Sequence, residues 1–248
     1  MAQTSSEQLR AWQGPAIFSF GFRPFFLFGA VWVVVAMVLW LASMAGLIAL
    51  PTRFDPVSWH AHEFLFGYLG AILAGFLLTA VPNWTGRLPL LGWPLAALFA
   101  LWVTGRAAVL FSDHIPFLAT IIVDLAFPIV LGAMILQEII AGKNWRNLIV
   151  LALLSVFTLA NALFHVEAMQ GGNAAQGMGL RLGVATALMM IASLAAGSFR
   201  RLPATGWRAP ILPHDPRRQC SGLTSWCCWQ ACPSLRGGCY ILSPRSPV

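Results

Sequence analysis

The 248 residues are 58% hydrophobic and only 9% charged, with a mean hydropathy of +0.76. Soluble domains run near a quarter charged, so a soluble globular fold is excluded, and an all-α polytopic transmembrane helix bundle of about six spans is predicted. The net charge of +7 does not indicate a nucleic-acid partner: residues 1–199 hold eight Lys/Arg against seven Asp/Glu, and most of the excess falls in the tail, leaving no basic stripe on the apolar part.

Residues 1–24 form a polar, then aromatic N-terminal segment. The first apolar run starts too late and runs too long for a cleaved signal peptide. Residues 25–198 form the membrane bundle. Span one is expected from Phe25 to Leu50, and Pro51–Trp59 reads as a loop. Span two runs from about His60 to Val81 and span three from about Leu90 to Phe111. Span four covers Ile115 to about Ile140, with a kink-prone Pro128. Span five is about Asn147 to Met169 and span six about Gln176 to Gly197, each of a length that crosses a bilayer. Residues 199–248 read as a non-helical or disordered basic tail, rich in Cys and Pro. All five cysteines lie there (Cys220, Cys227, Cys228, Cys232 and Cys239), without the paired spacing of a zinc or redox motif.

Loop basicity sets the orientation. With the N-terminus in the cytoplasm, the inner side holds Arg10, Arg23, Arg87, Lys143, Arg146, Arg200 and Arg201, and the outer loops hold Arg53 alone. This places His60, His62 and His114 at the outer face and His165 about 6 Å below it at ~1.5 Å per residue. Glu63, Arg106, Asp113, Glu167 and Arg181 fall at a similar level, and Asp124 somewhat deeper.

Ionisable groups inside spans are costly and are functional candidates by default. Neutral imidazole suits iron and copper, so His60, His62, His165 and His114 are candidate ligands, with Glu63 a ligand or an orienting partner. At about 100° per residue, His60 and Glu63 share one helix face with Gly67, Ala71, Gly75 and Thr79, whose small residues admit another helix closely. His62 lies on the opposite face with Phe66. Either the segment is unwound there or the two histidines serve different centres. His165 shares a polar stripe with Ser155, Thr158 and Asn161, and Asn161 can orient it. The alternatives are plain: rim histidines also bond at the membrane–water boundary without a metal, and Arg106, Asp124 and Arg181 can simply neutralise one another. There is no phosphate-cradling glycine loop, no nucleophile elbow and no acid–base carboxylate pair.

The segments Phe18-Ser-Phe-Gly-Phe-Arg-Pro-Phe-Phe-Leu-Phe-Gly29, Asp55-Pro-Val-Ser-Trp-His-Ala-His-Glu63, Gly75-Phe-Leu-Leu-Thr-Ala-Val-Pro-Asn-Trp-Thr-Gly-Arg87 and Gly92-Trp-Pro94 closely resemble the NnrS family. The resemblance covers about residues 14–197. It implies a bacterial inner-membrane protein containing haem and copper, linked to denitrification and to tolerance of nitric oxide, with His60 and His62 in the family's His-x-His-Glu segment. Family members carry about twice as many spans. The abrupt arrival of every cysteine after residue 197 predicts a tail translated out of frame. The reading from sequence is therefore a membrane haem/copper protein that meets nitric oxide from the lipid bilayer. A metal-free transporter or permease using Asp124, Arg106 and Arg181, and an assembly or sensor protein, are the alternatives.

Overall fold

A computed structural model describes residues 12–85 and 89–199, with side chains to residue 194. The expectations for the tail, its cysteines included, lie outside the described residues. The fold is all-α, with no strand among the described residues. Among the described residues seven α-helices follow in order: α1 (Phe22–Met44), α2 (Pro56–His62), α3 (Gly70–Thr85), α4 (Trp93–Leu110), α5 (Phe117–Ala141), α6 (Leu148–Met169) and α7 (Met178–Phe199). A π-helical turn, Glu63–Leu69, joins α2 to α3.

Among the described residues, five segments are long and apolar enough to cross a membrane: Phe22–Met44, Pro56–Thr85, Trp93–Leu110, Phe117–Ala141 and Trp145–Met169. The sixth expected span is α7, whose apolar stretch Met178–Leu194 is shorter among the described residues. The α1 span is thinly covered by protein: Val31, Val34, Val38 and Leu41 are exposed, as a lipid-facing surface requires.

The second span departs from the loop predicted up to Trp59. It begins at Pro56, because Asp55 caps it: the Asp55 carboxylate accepts from Val57 N at 3.0 Å and Ser58 N at 2.9 Å, with proline at the first helical position. This span is the bundle's central element, with Trp59, Ala71, Ala74 and Leu77 fully buried. Its small residues set the packing. A Cβ on Gly75 would stand 2.8 Å from the Phe26 ring, and one on Gly29 only 3.5 Å from Ala71, so α1 lies close along it. The α6–α7 pair is tighter still, since a Cβ on Gly179 would fall 2.4 Å from the Phe164 amide. Glu167 caps α7, accepting from Met178 N at 2.7 Å and Gly179 N at 3.2 Å.

In α5, Pro128 stands four residues after Asp124. It has no N–H to give the Asp124 carbonyl, so the helical ladder is interrupted where that acidic side chain enters the core.

Candidate metal centre

The π turn shapes the site. A regular helix would hold His62 and Glu63 on separate faces; here His62 ends α2, Glu63 opens the π turn, and both are fully buried in one cluster. π turns recur at functional sites because the extra residue redirects side chains. His62 Nδ1 lies 3.2 Å from Glu63 Oε1. Trp102, from α4, donates its indole N–H to the Gly67 carbonyl at 3.0 Å and fixes the turn against its neighbour.

Arg106 and Asp124 bind this segment to the rest of the bundle. Arg106 Nη1 donates to both Glu63 oxygens at 3.0 Å, and its Nη2 pairs with Asp124 Oδ1. Trp32, from α1, donates to Glu63 Oε2 at 2.6 Å. Asp124 Oδ2 accepts from Asn161 Nδ2 at 2.7 Å and lies 3.0 Å from His165 Nε2 and 3.2 Å from His62 Nε2. Asn161 Oδ1 stands 3.0 Å from His62 Nε2. The polar core thus draws on α1, the second span, α4, α5 and α6. Phe54 closes it at the loop end, with its ring centroid 5.6 Å from those of both His62 and His165.

His62, Asp124 and His165 each present a donor atom, and these lie within 4.8 Å of one another, all three residues buried. Two imidazoles and a carboxylate form a donor set that suits first-row transition metals. Arg106 and Asn161 hold the carboxylate as outer partners commonly hold metal ligands. Glu63 and Asp124 are two carboxylates against one guanidinium, and both ring nitrogens of His62 face acceptor oxygens, so either a protonated His62 or a bound cation balances the second carboxylate.

The other candidates sit elsewhere. His60 is half-buried and turns away from the cluster, its ring stacked on Trp40 with centroids 4.0 Å apart and next to Phe64 at 4.2 Å; its Nδ1 has no hydrogen-bond partner. His114 is exposed in the turn after α4. Arg181 is exposed on α7, away from the pair that Arg106 and Asp124 make. Trp32 and Phe54 had no place in the site expected from sequence, and Gly67 was expected only as a small packing residue on the face of Glu63. Phe54 alone carried a signal, as an aromatic residue beside the Asp55 cap. Asp124 was expected as a charge to be neutralised or as part of a polar path with Arg106 and Arg181, not as a metal donor, because nothing in its own helix shows that two histidines converge on it.

An all-α bundle with five membrane-length helices around a buried ionic core defines a multi-pass membrane protein. The chain belongs to the NnrS family: the family's sequence model, described as NnrS protein, matches residues 16–216. No curated protein and no solved structure matches it.

Proposed function

We propose that this is a multi-pass haem/copper protein of the bacterial inner membrane, acting in nitric oxide metabolism, denitrification or nitrosative-stress tolerance. The observation that carries the reading is the buried donor set His62–Asp124–His165. It fits a copper ion: the donors converge and the carboxylate is held from behind. A copper ion there would supply a one-electron redox centre able to take a small ligand.

A porphyrin does not fit between these histidines. The cavity that borders Asp124 is about 10 Å³, and Phe54, Phe66 and Phe164 pack against the His62 ring. For haem, His60 is the ligand we propose, since its ring lies half-buried outside the polar cluster, beside Trp40. The loop-charge asymmetry supports a cytoplasmic N-terminus, which would set the cluster in the periplasmic leaflet. A weakly polar gas dissolved in lipid would reach it there without an aqueous channel.

The residues have distinct tasks. His62 and His165 supply nitrogen donors, Asp124 an oxygen donor. Arg106 and Asn161 fix the Asp124 carboxylate, Glu63 holds Arg106 and His62, and Phe54 keeps water from the loop side. Copper and haem content of protein purified from replete cells tests the proposal. Copper should be lost in His62→Ala and His165→Ala and the Soret band in His60→Ala; metal-free, colourless wild-type protein would overturn it.

A further inference from the structure

A cavity of about 400 Å³ opens between α3, α4 and α5. It belongs to the far end of the second span: at ~1.5 Å per residue, Leu78 lies about 20 Å along that span from Glu63. The floor is apolar and buried, formed by Leu77, Leu78, Val81 and Ile135. The rim is different: Pro94 and Gln137 are exposed, and Glu138 is half-buried. Pro82, Pro89 and Pro94 line it too, compact rings at the points where α3 ends and α4 begins.

The neighbours of the rim fix its depth. Trp93 opens α4 and Trp145 follows α5, and both are exposed, as are Lys143 and Arg146 beside Trp145. Tryptophans and basic residues at span ends mark the level of the lipid headgroups. Glu138 stands in the last turn of α5, so its carboxylate lies at that level, with the apolar floor below it.

The volume exceeds the ~30 Å³ share of one liquid water more than tenfold, so the cavity admits a length of chain rather than a single solvent molecule. The charged side chain in its lining is acidic, which favours a cationic headgroup over an anionic one. A primary ammonium carries three N–H donors, and a carboxylate offers about four acceptor sites, so Glu138 can take one beside the bonds it makes within the protein. A quaternary ammonium has no N–H to give. Lys143 and Arg146 lie at the level of the phosphate, which a zwitterionic lipid also carries.

We infer that this cavity, floored by Leu78, Val81 and Ile135 and rimmed by Gln137 and Glu138, binds one aminophospholipid, with an acyl chain in the pit and the primary ammonium on Glu138. The inference goes beyond the proposed function and does not depend on the metal reading.

Native mass spectrometry of the full chain tests it. The protein is released from nanodiscs holding equal amounts of phosphatidylethanolamine, phosphatidylcholine and phosphatidylglycerol with the same acyl chains. Wild type should retain one phosphatidylethanolamine, preferred about tenfold over the other two, the scale of one charge-assisted hydrogen bond. Glu138→Gln should still hold a lipid but lose the preference. Met134→Trp places a larger side chain in the half-buried lining and should lose the lipid altogether; it serves if Glu138→Gln fails to fold. Wild type without a bound lipid, phosphatidylcholine or phosphatidylglycerol held as firmly as phosphatidylethanolamine, an unchanged preference in Glu138→Gln, or unchanged retention in Met134→Trp would overturn the inference.

Discussion

The Nη1 atom of Arg106 lies 3.0 Å from both carboxylate oxygens of Glu63, which is fully buried. This contact ties α4 to the π turn, and the remaining terminal nitrogen of Arg106 reaches Asp124 on α5. One guanidinium therefore holds three membrane-length segments together, and removing it would strand two carboxylates in the core.

Arg106→Met should be severely destabilising. Breaking a buried ion pair by deleting one partner costs about 3–5 kcal/mol, much of it from the charge left behind. The double variant Arg106→Met/Glu63→Gln should recover part of that loss, because only one buried carboxylate then lacks its cation. Thermal unfolding in detergent, followed by tryptophan fluorescence, checks both.

Trp32→Phe keeps the ring and deletes the N–H that reaches Glu63 at 2.6 Å. A hydrogen bond to a charged group contributes about 1.5–3 kcal/mol. The expected outcome is a lower unfolding temperature, and the loss should shrink when Glu63→Gln is already present. A double-mutant cycle measures that coupling.

Gly67→Ala and Gly70→Ala separate two glycines three residues apart. A Cβ at Gly67 would lie 2.4 Å from Arg106 Nη1 and 2.9 Å from Glu63 Oε2, whereas one at Gly70 meets only ordinary contact. Gly67→Ala should cost about 1–3 kcal/mol by forcing the ion pair apart, and Gly70→Ala close to nothing. Comparative unfolding of the two purified variants reads the difference.

Phe54→Ala removes a buried ring that packs on both histidines. Truncating a buried Phe typically costs about 3–5 kcal/mol. Beyond that loss, the two imidazoles become reachable from the loop side. Diethylpyrocarbonate should label His62 and His165 faster in this variant than in wild type, with His114, already exposed, unchanged; mass spectrometry of the labelled peptides checks it.

Much of the architecture was legible because membrane crossing has a blunt signature. Uncharged runs of about twenty residues must be helices in lipid, and the spans fall where those runs lie. The early start at Pro56 was legible too, in the Asp55-Pro56 cap, but hydropathy gives the polar stretch Asp55–Trp59 to a loop. The π turn was not: nothing in Glu63–Leu69 marks one, and regular periodicity set His62 and Glu63 on separate faces. The sequence also grouped Arg106, Asp124 and Arg181 by charge alone. Arg106 and Asp124 meet because α4 and α5 form a hairpin, while Arg181 faces outward from α7. Asn161 and His165, one turn apart on α6, were visible as a polar stripe. That the stripe meets Asp124 depends on helix packing, which no local pattern encodes.

The most direct test of the central claim is copper stoichiometry in four purified proteins: wild type, His62→Ala, His165→Ala and His114→Ala. The account predicts one copper retained in wild type and in His114→Ala, and its loss in the other two while helical content by circular dichroism stays unchanged. Copper retained in His62→Ala and His165→Ala, or lost equally in His114→Ala, would contradict it.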